Sequence, residues 1–73
     1  MQYYDFNLII GKNLRALRQS SGLTQEKMAE LLYISRPALS SLENGKSHIS
    51  FMLAVQIAEI MSIDIRSLYN SEL

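Results

Sequence analysis

The side chains best suited to contact a ligand recur at helical spacing between residues 36 and 44. They are short or polar and would share one outward helix face: Arg36, Pro37, Ser40, Ser41 and Asn44. Arg36 alone in this set can make two parallel hydrogen bonds to guanine. The two serines can donate to bases or phosphates, and Pro37 offers apolar contact only. Such a shallow face suits a DNA groove, with DNA shape supplying part of the specificity.

The same sequence offers no constellation for catalysis or metal binding. It has no cysteine, which excludes disulfides and the usual cysteine-based zinc or iron–sulfur sites. His48 is the only histidine, and it cannot build a metal site alone. Neither a phosphate-binding loop nor a paired carboxylate cluster is present. We therefore expect a protein that is not an enzyme, with no cofactor, no metal and no small-molecule ligand.

Length and composition bound the possible classes of protein. Seventy-three residues, 48% of them hydrophobic and 19% charged, predict one small globular domain over 1–73. The longest stretch without a polar residue, Phe51–Val55, is about five residues, whereas a membrane span needs roughly 20. The N-terminus lacks the basic start of a signal peptide. These features predict a soluble cytoplasmic domain with no membrane partner.

The charges are unevenly distributed although the net charge is zero. Residues 1–46 carry six basic and four acidic side chains, and residues 47–73 carry one basic and three acidic ones. The chain is therefore basic in its first part and acidic in its second. This asymmetry adds weak support for an anionic partner on the first part.

Helical periodicity runs along the whole chain, and no strand alternation of convincing length appears. Phe6, Ile10, Leu14 and Leu17 would share one face of a first helix that ends at 20–22. Later helices are predicted to begin after the N-caps Thr24, Ser35, Ser50 and Asp64, with the last three over Arg36–Asn44, Phe51–Met61 and Ile65–Tyr69. The predicted fold is an all-α, compact five-helix bundle.

The second and third predicted helices are joined by only three residues, 33–35. So short a turn forces a large angle between two helices and lets the second one protrude. Ala29 is small where the two would cross. The segment 24–46 is thus predicted to be a helix-turn-helix.

This segment resembles the helix-turn-helix of the Cro/C1-type family, also called the XRE or phage-repressor-like family. The matching features are the opening Thr24-Gln25-Glu26, Ala29, the pair Ser35-Arg36 and the ending Leu42–Lys46, with further matches at Ile10-Gly11, Leu14–Arg18, Ile57-Ala58, Ile63 and Leu68. The resemblance covers roughly residues 9–69. It implies a lambda-repressor-like domain whose second and third helices form the helix-turn-helix.

The resemblance also implies roles for individual residues. Gln25, with nearby backbone N–H groups, would contact phosphate. The third helix would enter the major groove and read bases with Ser35, Arg36, Pro37, Ser40 and Ser41. Asn44 and Lys46 would hold the neighbouring DNA backbone, and Arg18 and Glu43 would form a structural salt bridge.

Two positions depart from the family pattern, Tyr33 and Ile49, and Ile49 stands where the family often has proline before the fourth helix. Tyr33 stands where the family usually has glycine in the turn. Either the turn takes another conformation, or it accepts strain of about 1–2 kcal/mol at a positive φ.

The fourth predicted helix is apolar nearly all round, with Gln56 and Glu59 as its only polar residues. It is either well buried within one domain or has a surplus face that needs another surface. We favour a symmetric homodimer through residues 50–70. Its expected interface residues are Phe51, Met52, Val55, Ile60, Ile65, Tyr69 and Leu73.

Together these features predict a transcriptional regulator, in particular a repressor. As a homodimer it would present two recognition helices about 34 Å apart to a near-palindromic operator in double-stranded DNA. The alternative is a protein-interaction module, such as an antitoxin, whose chief partner is another protein.

Overall fold

Four α-helices and one 3₁₀ turn form the part of the chain that the structure describes. The structure is a computed structural model and describes residues 3–70, with side chains from residue 6 onward. The helices are α1 (Tyr3–Ser20), α2 (Gln25–Leu32), α3 (Arg36–Glu43) and α4 (Phe51–Met61), and the 3₁₀ turn spans Ile65–Leu68. No strand occurs between residues 3 and 70. The predicted all-α class is confirmed.

Between residues 3 and 70 the predicted count of five helices is corrected to four α-helices. In the last segment, the Ser67 N–H donates to the Asp64 carbonyl at 2.9 Å, a bond to the third residue back rather than the fourth. The Asp64 carboxylate accepts from the Arg66 N–H at 2.9 Å and so begins this turn. A segment of four residues is too short to repay the nucleation of an α-helix, so it remains a single 3₁₀ turn.

Each of α2, α3 and α4 begins at a hydroxyl side chain, as predicted. Thr24, Ser35 and Ser50 accept hydrogen bonds from the backbone N–H three residues later, at 3.0, 3.2 and 3.1 Å. Each bond satisfies an N–H that has no partner within its helix. These caps set the residue at which each helix starts, and thus the angle at which α3 leaves the turn.

One core joins all five elements. Its largest fully buried side chains are Leu14, Met28, Leu32, Leu39, Ile57 and Leu68. Ala29, on α2, is also buried. Phe6 is 45% exposed, so the buried stripe of α1 begins at Ile10 rather than at Phe6 as predicted.

Two small or polar residues of α1 fix its position on its neighbours. A Cβ added to Gly11 would lie 2.5 Å from the Leu42 carbonyl oxygen and 2.6 Å from that of Glu43, so the backbones of α1 and α3 are in contact there. The buried Asn13 side chain donates to the carbonyls of Leu68 and Asn70, both at 2.9 Å. The lack of a side chain at Gly11 thus lets α3 pack directly against α1, and the Asn13 hydrogen bonds attach the 3₁₀ turn to α1.

The turn between α2 and α3 takes the left-handed conformation. Tyr33 has φ 57° and ψ 39°, and its side chain is 90% exposed. The family's usual turn geometry is therefore kept, at the expense of strain in a residue that has a Cβ.

We predict that Tyr33→Gly stabilises the domain. Glycine removes the left-handed strain, but its extra freedom in the unfolded chain offsets part of the gain, so the net increase should be about 0.5–1 kcal/mol. Urea unfolding of both proteins measures the difference. Ser62→Gly, at the φ of 54° that follows α4, should behave similarly. A loss of stability in Tyr33→Gly would show that the tyrosine ring makes stabilising contacts that outweigh the strain.

Candidate nucleic-acid interface

The residues predicted to contact DNA lie along α3 and at the two ends that flank it. Ser35, Arg36 and Pro37 are exposed at the start of α3, and Ser40 and Ser41 are half-buried on its middle turns. Asn44 and Lys46 are exposed just beyond its end, whereas Gln25, at the start of α2, is half-buried. The face of α3 is thus accessible from its first residue to its last turn.

Arg36 is available for a ligand. Among the side chains of residues 6–70, it pairs only with Glu26, at 3.8 Å between Nη1 and Oε1, and the two side chains are 62% and 78% exposed. An ion pair this long and this exposed contributes about 0–1 kcal/mol. Glu26 therefore places a weak restraint on the guanidinium, which can turn toward a base edge.

Behind this face, Glu43 is the centre of a buried polar network. Its side chain is fully buried, and its Oε2 accepts from Arg18 Nε at 2.7 Å. Its Oε1 accepts from Arg18 Nη2 at 3.2 Å, from Gln25 Nε2 at 3.0 Å and, at 3.4 Å, from Arg15 Nε. Arg18 also donates to the Leu23 carbonyl at 2.8 Å. The network joins α1, the start of α2 and the end of α3.

The hydrogen bonds of this network change how Glu43 titrates. Burial alone would raise the pKa of Glu43. The hydrogen bonds from Arg18 and Gln25, the positive charge of Arg18 and the bond from Arg15 together outweigh burial, so the pKa lies below its ordinary 4.5. Asp64, held by Arg66, has its pKa lowered to about 2. Both carboxylates are therefore ionised in the folded chain at neutral pH.

We predict that acid weakens the fold through Glu43. Because its pKa is lower when folded, its contribution is complete above the unfolded pKa near 4.5 and is lost as pH falls through the folded pKa. Measuring the unfolding free energy from neutral to acidic pH should show a steeper fall for the natural chain than for Glu43→Gln. Asp64→Asn separates the contribution of Asp64, which is complete above its unfolded pKa near 3.8 and is lost as pH falls through its folded pKa of about 2. Parallel pH curves for the natural chain and Glu43→Gln would contradict this prediction.

Two contacts differ from what the sequence suggests. The Gln25 side chain, predicted to contact phosphate, donates to Glu43 Oε1 within the domain. Arg15, which has no assigned role in the sequence prediction, reaches the end of α3, where its Nη2 donates to Asn44 Oδ1 at 2.8 Å. Spacing along α1 alone does not reveal that second contact, because it joins residues 29 positions apart.

A second feature is the apolar surface of α4 and the 3₁₀ turn. Phe51 and Met52 are 71% and 68% exposed, and Ile60 and Tyr69 are 41% and 39% exposed. Val55 and Ile65 are half-buried and line one groove together with Phe51, Ala58 and Ile63. Leu73, the remaining residue of the predicted interface, lies outside the described residues. None of the helices described here is long and apolar enough to cross a membrane.

Comparison with known proteins gives matches over most of the chain. A helix-turn-helix family model, HTH_3, matches residues 14–68. The HTH-type transcriptional activator BcrR of Enterococcus faecalis is 38% identical over 61 residues, which are 84% of this chain and 30% of that protein. The antitoxin PezA of Streptococcus pneumoniae is 48% identical over 42 residues, which are 58% of this chain and 27% of that protein.

A solved structure matches the fold of this chain over nearly the whole length of the chain. The restriction-modification controller protein C.AhdI of Aeromonas hydrophila superposes with a TM-score of 0.86 and 29% identity, covering 94% of this chain and 100% of that one. By contrast, the chain spans less than a third of the length of either curated relative above. The helices of those relatives that match are therefore one part of longer proteins.

Proposed function

Because this chain belongs to the helix-turn-helix family HTH_3, of the Cro/C1 type, we propose that it is a sequence-specific regulator of transcription that binds double-stranded DNA. The observation that carries the proposal is the open polar face of α3, which starts at the exposed Arg36. The buried Arg18–Glu43 pair supports that face from behind. A rigid helix with a replaceable set of short side chains can read base edges in the major groove.

The arrangement of α2 and α3 supports a role for each predicted contact residue. The N-terminal backbone N–H groups of α2, at Gln25, bind a phosphate. Arg36 donates to guanine, with Ser35, Pro37, Ser40 and Ser41 beside it on the same face. Asn44 and Lys46 bind the DNA backbone beyond the end of α3. The domain acts by occupying DNA and not by catalysis, and as a repressor it would block a promoter or operator.

The apolar surface of α4 supports a second part of the proposal, a symmetric homodimer. Exposed Phe51 and the half-buried Val55 and Ile65 line an apolar groove that a second copy of the chain can cover, and exposed Ile60 adds apolar surface on another side of α4. Two-fold symmetry places two α3 helices about one turn of DNA apart, or about 34 Å. Sedimentation at micromolar concentration should give the mass of a dimer.

Selection of bound duplexes from a random DNA library tests the proposal. We expect a two-fold symmetric consensus with half-sites about one helical turn apart. Arg36→Ala should then lose about 5- to 100-fold in affinity for the consensus and much less for random duplex. Arg66→Ala, which removes the same charge from the 3₁₀ turn, is the matched control and should affect neither strongly. Equal losses on both duplexes would sink the base-reading role of Arg36.

A protein partner is the second candidate function. Two observations favour it: the strongly exposed side chains Phe51 and Met52, and the 48% identity to an antitoxin over 42 residues. If the selection enriches no sequence and retention depends only on salt, this candidate replaces the first. A half-site consensus would instead leave the apolar surface to the homodimer.

A further inference from the structure

A chain of hydrogen bonds runs from α1 to the middle of the α3 face. Arg15 Nη2 donates to Asn44 Oδ1 at 2.8 Å, and Asn44 Nδ2 donates to Ser40 Oγ at 3.4 Å. Ser40 and Asn44 belong to the face proposed to contact DNA, whereas Arg15 lies on α1. The bonds therefore connect a residue outside that face to two residues on it.

The direction of this chain is fixed by chemistry. A guanidinium has only donors, so the atom of Asn44 that faces Arg15 must be the carbonyl oxygen Oδ1. The other end of the amide, Nδ2, is then turned toward Ser40, and an NH₂ group can only donate. Ser40 Oγ must consequently act as the acceptor.

This leaves the Ser40 hydroxyl with its hydrogen to give. Among the side chains that the structure describes, residues 6–70, no hydrogen bond donated by Ser40 is found. A free serine hydroxyl can donate or accept and so distinguishes bases poorly. A hydroxyl that already accepts from Asn44 has its hydrogen and only one of its two lone pairs left for DNA, which favours donation.

We propose that Ser40 is a specificity-determining residue that acts as a donor to one base, and that Arg15 is the positioning residue that fixes this polarity through Asn44. The inference rests on the proposed function. In the major groove guanine, thymine and adenine each offer an acceptor, whereas cytosine offers only its amino donor. Cytosine should therefore be disfavoured at the base that Ser40 faces.

Ser40→Ala identifies that base position. The selection from a random library is repeated with this variant, and the position at which its base preference becomes flat is the one that Ser40 reads. For the natural chain we expect cytosine at this position to bind about tenfold more weakly than the best base.

Asn44→Asp tests the polarity with a side chain of the same shape. A carboxylate still accepts from Arg15, but its second oxygen can only accept, so Ser40 must turn its hydrogen toward Asp and present its lone pairs to DNA. Cytosine should then rise from the weakest base to one of the strongest at that position. The added negative charge lowers affinity for every sequence alike, so the order of bases is the readout.

Arg15→Leu tests the positioning role, with Lys12→Leu as its matched control. Both remove one positive charge from an exposed position of α1. Without Arg15 the amide of Asn44 can turn over, Ser40 can donate or accept, and the tenfold bias against cytosine should fall to about threefold or less. Lys12→Leu should keep the bias while losing a similar amount of overall affinity. Circular dichroism on heating checks that each variant remains folded.

The outcomes separate this inference from the proposed function. A reversed base order in Asn44→Asp, together with a reduced bias in Arg15→Leu, supports the inference. An unchanged base order in Asn44→Asp overturns the inference while leaving sequence-specific binding intact. A Ser40→Ala variant that keeps its base preference at every position of the consensus does the same. If the natural chain enriches no sequence at all, the proposed function and the inference both fail.

Discussion

Glu43→Ala is expected to lower the free energy of unfolding by about 3–5 kcal/mol, because it removes one partner of a buried ion pair and leaves the other. Arg18 is only 11% exposed and loses the acceptor of its bonds at 2.7 and 3.2 Å. Gln25 and Arg15 lose an acceptor as well. A domain of this size has roughly 4–11 kcal/mol in total, so the loss removes a large fraction of its stability and would unfold the variant at the lower end of that range.

Urea unfolding followed by circular dichroism measures this loss. Glu30→Ala is the control, because it breaks the exposed Lys27–Glu30 pair at 3.6 Å, and it should change stability by less than about 0.5 kcal/mol. The double variant Arg18→Met with Glu43→Leu should be more stable than Glu43→Ala, since it leaves no buried charge unpaired. A loss below about 1 kcal/mol in Glu43→Ala would mean that water reaches Arg18 and replaces the carboxylate.

Those parts of the fold that depend on local chemistry could be predicted from the sequence. Thr24, Ser35 and Ser50 each cap a helix through a backbone N–H only three residues away, so the residues beside them are sufficient evidence. The ending of α1 likewise follows from Gly22, which has a φ of 73°. The fifth helix was wrong because the cap at Asp64 shows where a turn begins but not how many residues follow it.

The roles of Gly11, Asn13 and Arg15 depend on contacts between distant residues, and spacing could not reveal them. Asn13 donates to Leu68, 55 residues away, and Arg15 donates to Asn44, 29 residues away. On α1 alone, Asn13 is one more polar residue in an amphipathic helix and Arg15 one more surface charge. The Arg18–Glu43 pair was within reach of the sequence only because the family resemblance implied it.

The exposure of the candidate interface was predictable from the sequence, but the partners of its side chains were not. Exposure along α3 follows from the helical period, which places Arg36 and Ser40 on one outward face. Which of these side chains are already bound to other groups depends on α1 and α2 packing behind them. Gln25 and Asn44 were predicted as DNA contacts, and both have side-chain partners within the domain.

Gly11→Ala should destabilise the domain although alanine is the better helix former. In an isolated helix this change would stabilise by about 1 kcal/mol. Here the new Cβ would lie 2.5 Å from the Leu42 carbonyl oxygen, 2.6 Å from the Glu43 carbonyl oxygen and 2.9 Å from the Glu43 carbonyl carbon. All three atoms belong to backbone, so no side-chain rotation can make room, and α1 and α3 must move apart.

The expected net loss in the free energy of unfolding is about 1–3 kcal/mol, the usual effect of overpacking. A loss would show that overpacking outweighs the helix preference of alanine, and a gain would show the reverse. Ala16→Gly, at an exposed position of α1, measures the intrinsic helix preference and should lose about 1 kcal/mol. Moving α3 also lengthens the Arg18–Glu43 bond. We therefore expect the binding free energy for the selected duplex to fall by more than the free energy of unfolding does. A Gly11→Ala protein that is more stable than the natural chain and binds DNA unchanged would show that α3 can shift without losing its position. In that case the close approach of the two helices would not be what orients the recognition face.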